Sequence, residues 1–179
     1  AEPTFRTFFK RIMKKLEAAG ISIKEIPIFD DIEAINKRHQ ELIAIEFSNV
    51  HEPWFEDYRH LYRTRTVEII EKGQRLGDKD LSSLRSSCLD LRQRLADMMK
   101  TENIDAWISP SSTGEAPPGL AATGNPMMNL PWTHAGMPTI TLPVGNGSQG
   151  LPLGIQLAGG FMRDSSLIRM VRDLFKSLR

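Results

Sequence analysis

Hydrolytic chemistry on a carbonyl needs a nucleophilic hydroxyl, a base beside it and donors aimed at the developing oxyanion. Serine pairs are the first candidates, and this chain has them at Ser82–Ser83, Ser86–Ser87, Ser111–Ser112 and Ser165–Ser166. The first, second and fourth read as helix caps or solvated helix faces. Ser111–Ser112 directly follows a strand-like run ending at Pro110. A hydroxyl there could bind a substrate, and turn hydrogen bonding to nearby backbone accounts for it equally well. No GxSxG frame surrounds any serine.

His39, His51, His60 and His134 fall in no metal-ligand spacing such as HExxH, and Cys88 is the sole cysteine. His39, His51 and His60 lie in polar surroundings and read as surface residues. His134, inside an uncharged segment, reads as a hydrogen-bonded structural histidine before a catalytic one. Cys88 falls on the apolar face of a helix and reads as a core residue. Gly145-x-Gly147-x-x-Gly150 matches a phosphate-loop pattern by letter, but it lies between two short strands with no helix after it. It reads as a hairpin loop. The Arg63, Arg65 and Lys72 cluster lacks interleaved aromatics and reads as a solvated face.

The chain that holds these residues has two characters. From Trp107 to Met162 the only charged side chain is Glu115, and ten of the 13 glycines and eight of the 11 prolines lie between Pro110 and Gly160. So many glycines and prolines exclude a membrane helix, which must satisfy its backbone internally. Buried irregular backbone with short strands, of the kind that lines a pocket, fits better.

The remainder is periodic. Phe5, Phe8, Phe9, Ile12, Met13 and Leu16 predict an amphipathic helix ended at Gly20. Ile21 and Ile23 alternate with polar residues and predict a strand stopped by Pro27. Ile32, Ile35, Leu42, Ile43 and Phe47 predict a second helix capped by Asp30 or Asp31. Trp54, Tyr58, Leu61 and Tyr62 predict a third, to about Glu71. Gly73 and Gly77 are expected to loosen the chain before a fourth with Leu84, Cys88, Leu91, Leu95 and Met98 on one face. Ile104–Ile108, Thr139–Val144 and Leu153–Leu157 predict strands. A final helix follows from Asp164, its expected cap, through Leu167, Ile168, Val171, Leu174, Phe175 and Leu178.

Interleaved helices and strands predict an α/β fold, a mixed β-sheet flanked by helices in α/β/α layers. The strands are too few to close a sheet, so part of it is expected to lie outside this chain. With 179 residues, 40% hydrophobic content and a net charge of +1, the chain suits one domain or part of one. That balance gives no reason to expect nucleic acid or a membrane as partner. A lone cysteine fits a reducing compartment, and the expected location is cytoplasmic. The first residues carry no apolar leader-like run. They are compatible with a processed terminus or with a piece of a longer protein.

From Ile104 on, the chain resembles the C-terminal part of amidase-signature family enzymes. The resemblance is carried by Ile104-Asp105-Ala106-Trp107-Ile108-Ser109-Pro110, by Ala122-Thr123-Gly124-Asn125-Pro126 and by Asn129-Leu130-Pro131-Trp132-Thr133-His134-Ala135-Gly136-Met137-Pro138. It continues in Thr139-Ile140-Thr141-Leu142-Pro143-Val144 and Gly150-Leu151-Pro152-Leu153-Gly154-Ile155-Gln156-Leu157. The first helix, the Gly20 turn and the run ending at Pro27 also look like the family, and Glu46 resembles a recurrent family glutamate.

The resemblance implies a C-terminal part of an amidase-signature domain, with residues 1–103 mostly helical and 104–179 a strand-rich pocket segment with a final helix. It implies a serine acyl-enzyme route that uses a serine nucleophile, a bridging serine and a lysine base. The nucleophile and the oxyanion hole belong to a Gly-Gly-Ser-Ser-Gly-Gly type segment. This chain has no such segment; its only Gly-Gly is Gly159–Gly160. No catalytic residue is therefore carried over, no cofactor or metal is implied, and the isolated chain is expected to be inactive. Ser109, Ser111, Ser112, Thr113, Asn129, Trp132 and Thr133 are expected to line or support the substrate pocket. Trp132 reads equally as a core aromatic anchoring its loop. The expected partners are a small amide substrate and a separate N-terminal catalytic half, and a homo-oligomer is compatible with the chain. The rival readings are a non-catalytic interaction module and a subunit of a glutamine-dependent transamidation enzyme.

Overall fold

The computed structural model describes residues 3–77 and 80–178; the Leu178 side chain, which the final-helix reading includes, lies outside what is described. The chain forms two compact units, one of residues 1–30 with 92–179 and one of residues 31–91.

The first unit is built on a three-stranded antiparallel sheet. Its strands are β1 (Trp107–Pro110), β2 (Thr139–Asn146) and β3 (Pro152–Ala158), in the order β1-β3-β2. The predicted strand from Ile104 begins only at Trp107, because Asn103 and Ile104 close the preceding helix. Asn103 takes a left-handed φ of 52°, and the Ile104 N–H reaches back to the Met99 carbonyl at 3.0 Å. β2 and β3 form a hairpin whose turn holds Gly147 and Gly150, as the short strands on either side of these glycines predict.

Side chains alternate across β3, so its two faces differ. Leu153, Ile155 and Leu157 pack with Phe5, Phe8, Ile12 and Leu16 of α1 (Pro3–Ala18) and Leu167, Val171 and Leu174 of α7 (Asp164–Leu178). The opposite face carries Gly154, Gln156 and Ala158. The α/β class predicted from the sequence holds, with every described strand pair antiparallel.

Ile21 and Ile23 form no strand. They pack against this same core while Ser22 and Lys24 face out. The alternation reported burial correctly, but no neighbouring strand among the described residues offers the segment a hydrogen-bonding ladder. Asp164 is the first helical residue of α7 and not its cap.

The second unit contains α2 (Ile32–His51), α3 (Phe55–Tyr58), α4 (Thr64–Leu76) and the first half of α5 (Leu81–Glu102). Asp31 stands at the α2 N-cap position without a side-chain cap bond, and its carboxylate lies 3.6 Å from Arg38. Pro53 follows the end of α2, where its missing N–H and ring stop the helical ladder. The predicted third helix is broken: a 3-10 turn at Arg59–Leu61 leads into Tyr62, which is extended, and helix resumes at Thr64. His51 gathers this break. Its Nδ1 lies 2.6 Å from the Tyr62 hydroxyl and accepts from the Trp54 indole at 3.2 Å.

Gly73 does not loosen the chain. It lies inside α4, where a Cβ would overlap the Ala44 carbonyl oxygen and come within 2.5 Å of the Ser48 Cβ. Its absent side chain lets α2 and α4 touch backbone to backbone. Gly77 ends α4 with φ of 64°.

His39 is not a surface residue: it is 6% exposed, on the inner side of α2. Burial lowers its pKa, because a charged imidazole is poorly solvated there. The unfolded chain therefore binds this proton more readily than the folded one. The stability contributed by neutral His39 is complete above the unfolded value of about 6.5 and is lost as pH falls below it toward the folded value. Chemical denaturation between pH 7 and 5 should show a falling midpoint, and His39→Gln should flatten that fall.

Candidate functional site

Two of the candidate residues, Ser109 and Ser111, lie on the polar face of the sheet. Gln156, at the centre of β3, is only 2% exposed. It is paired in register with Ser109 on one side and Thr141 on the other. A buried amide must find partners, and its Nε2 donates to the Met128 carbonyl at 3.2 Å. That bond ties the 3-10 turn Pro126–Met128 to the sheet. The turn is itself capped by the Asn125 side chain, which accepts from Met127 N at 3.0 Å.

The short helix α6 (Leu130–Ala135) follows. It ends at Gly136, in the left-handed region at φ of 66°, with the Met137 N–H donating to the Trp132 carbonyl at 3.0 Å. Arg92 reinforces this end. Its Nε donates to the Ala135 carbonyl at 2.8 Å, and its guanidinium lies 3.6 Å over the Phe161 ring.

Trp132 of α6 is 4% exposed. It packs edge-on against Phe29 with ring centroids 5.3 Å apart, and against Trp107 at 6.3 Å. Phe29 itself holds a φ of 64°, rarely adopted by a bulky residue, which aims its ring at this contact. The Trp132 side chain is thus buried among aromatic rings, while Asn129 at the N-cap of α6 and Thr133 within it are exposed. His134 is buried on α6.

The predicted hydroxyls fall into two groups. Ser109 and Ser111 sit along β3, where Ser111 directs both its N–H (3.1 Å) and its hydroxyl (3.0 Å) to the Gly154 carbonyl. Gly154 must be glycine, since a Cβ would stand 2.8 Å from Thr141 Cγ2 and 2.9 Å from Ser111 Oγ. Ser112 donates to Gly114 O at 2.7 Å within its own turn, and Thr113 lies half-buried beside it. Thr133 donates to Asn129 O at 3.1 Å, one helical turn back. Ser109 donates to Pro110 O at 3.2 Å. These four hydroxyls all donate to backbone carbonyls and none to a side-chain base. Among the described residues the arrangement contains no assembled nucleophile and base.

Glu115, the lone charge of the segment, accepts from the backbone of Gln149 and Leu151 and from the Ser148 hydroxyl. These donors, the Gln149 N–H foremost, hold its carboxyl below the usual carboxylate range. Sequence reasoning did not assign Gln156, Glu115 or Arg92 to the site. Two of them carry a signal: Gln156 is the polar residue of an apolar strand, and Glu115 is a single charge in an uncharged stretch.

A shallow groove along α5, lined by Leu81, Ser82, Arg85, Ser86 and Leu89, includes none of the candidate residues. Among the described residues no helix is long and apolar enough to cross a membrane.

A family model described as Amidase matches residues 1–168. The chain belongs to the amidase family. A 76-residue stretch is 33% identical to a glutamyl-tRNA(Gln) amidotransferase subunit of Trichormus variabilis, covering 38% of this chain and 16% of that protein. The corresponding protein of Microcystis aeruginosa matches to the same extent.

A crystal structure of an amidase superposes with TM-score 0.82 at 22% identity, covering 93% of this chain and 40% of that one. 6-Aminohexanoate cyclic dimer hydrolase superposes with TM-score 0.70 at 18% identity, over 99% of this chain and 42% of its own. The K. lactis urea amidolyase does so at 0.82 and 17%, over 99% and 11%. At these identities the structures establish a common fold. The chain spans 16% of the curated relatives it matches first and about two-fifths of the first solved amidase.

Proposed function

We propose that this amidase-family chain is the C-terminal, substrate-side portion of a hydrolase that cleaves a carboxylic amide through a serine acyl-enzyme. Residues 1–103 supply mainly helical packing, and residues 104–179 supply the pocket wall. The observation that carries the reading is the polar sheet face, Ser109–Gln156–Thr141 with Ser111 beside it, in an amidase-family chain that lacks a glycine-serine segment. Amide hydrolysis needs an activated hydroxyl and preorganised donors. Here the hydroxyls of Ser109, Ser111 and Ser112 are committed to backbone carbonyls, and on this reading nucleophile, second serine and lysine base come from the partner portion. Binding walls alone leave the transition state unstabilised.

The test is labelling of the pure chain with a serine-reactive fluorophosphonate, mapped by peptide mass spectrometry, beside an assay on short aliphatic and aromatic amides. The expected result is no labelled serine and no turnover. A label on Ser111 or Ser112 together with turnover would mean that the chain has an active site of its own.

The 33% identity to a glutamyl-tRNA(Gln) amidotransferase subunit favours a second reading, in which the chain belongs to a glutamine-dependent transamidation enzyme. Turnover of glutamine in preference to simple amides, once the chain is joined to its catalytic portion and any partner proteins, would favour it over the first.

A further inference from the structure

Beyond Pro110 the chain runs alongside the first residues of β3 toward the β2–β3 turn, and it is fastened at two points. The first is Ser111 on the Gly154 carbonyl. The second is Glu115, the only charged side chain between Trp107 and Met162. The Gln149 N–H lies 3.1 Å from each of its carboxylate oxygens, the Leu151 N–H donates to Oε1 at 2.9 Å, and the Ser148 hydroxyl to Oε2 at 3.3 Å. The floor of this cradle is Gly147, where a Cβ would overlap the Glu115 carboxyl carbon and stand 2.5 Å from its Cγ. The Glu115 side chain therefore uses the space that the glycine leaves. An ionised carboxylate that accepts several N–H and O–H bonds is held more firmly than a neutral acceptor.

We propose that Glu115 is a positioning residue, whose carboxylate clasps the 147–151 turn and so seats Ser111, Ser112 and Thr113 along β3. The clasp stands on the geometry alone; its consequence for substrate rests on the amidase reading above. Glutamine at this position could keep one oxygen on both backbone donors and give its NH2 to the Ser148 hydroxyl. Glu115→Ala removes every acceptor and should release the turn.

Hydrogen exchange on this chain reads the clasp directly. Protection of the Gln149 and Leu151 amides should fall about tenfold or more in Glu115→Ala. Gly147→Ala should produce the same loss by displacing the carboxylate. Combined with Glu115→Ala, it should add little further loss, because the two changes remove one interaction. Unchanged protection in Glu115→Ala, or losses that simply add, would overturn the clasp.

In the longer amidase, Glu115→Ala should raise KM for an amide substrate about tenfold while kcat stays within about twofold. Lost protection with KM unchanged would overturn the positioning role. A wild-type longer protein that turns over no amide would sink the substrate reading and this role with it. Exchange and the double-variant comparison would still decide the clasp.

Discussion

Trp132→Ala should lower the unfolding free energy by about 3–5 kcal/mol, the range for removing a large buried aromatic. The indole fills the space between Phe29 and Trp107, and neither ring can follow it freely. Trp107 is fixed on β1 by its register with Ala158, and Phe29 is already held at a positive φ. The cavity would therefore persist. Urea denaturation should show a lower midpoint at an unchanged slope, and Trp132→Phe should recover part of the loss by keeping an edge contact with Phe29.

Stability alone does not separate the two roles open to this residue. If the chain is joined to the catalytic portion proposed above, a changed ratio of kcat/KM between aliphatic and aromatic amides would make Trp132 a part of the pocket wall. An unchanged ratio beside the stability loss would make it a core anchor. At 4% exposure, most of its surface is already engaged in packing.

Gly73→Ala is the second large effect, and its sign runs against helix propensity. In an exposed helix interior, alanine gains about 1 kcal/mol over glycine. Here the new methyl would enter the Ala44 carbonyl oxygen and the Ser48 Cβ, so α2 and α4 must separate. Overpacking of this kind costs about 1–3 kcal/mol, at the upper end where the obstacle is backbone. The net result should be a destabilisation of about 1–2 kcal/mol, seen as a lower denaturation midpoint. Ala44→Gly should not rescue it, because the clash is with the Ala44 carbonyl and not its methyl. Gly77→Ala makes a useful contrast: that position is open, and its cost is the left-handed backbone alone.

Much of the architecture was legible in the chain. Apolar residues at helical spacing marked α1, α2, α5 and α7, because a helix that packs on one side must repeat its core residues every three or four positions. The hairpin reading of Gly145–Gly150 followed from strands on both sides and the absence of a helix after it. Pro110 and the apolar run Leu153–Leu157 placed the end of β1 and most of β3. Other signals were present but ambiguous. Alternation at Ile21–Lys24 encodes which side chains face the core, and it says nothing about whether a neighbouring strand exists to pair with them. Trp54 to Glu71 carries helical spacing throughout, yet an extended Tyr62 divides it, with the Tyr62 hydroxyl against His51.

Local and periodic features were thus written in the order of residues: helix faces, turn chemistry, the uncharged segment and the motif run that marks an amidase. Meetings between residues far apart in the chain emerged only on folding. Gly73 became a helix crossing because Ala44 and Ser48 lie against it, and His39 became a buried neutral group on the inner face of α2. Glu115 became a clasp because the turn 33 to 36 residues later points its donors at it. Such contacts leave no period in the sequence, since their energy depends on which surfaces the folded backbone brings within a few ångströms of each other.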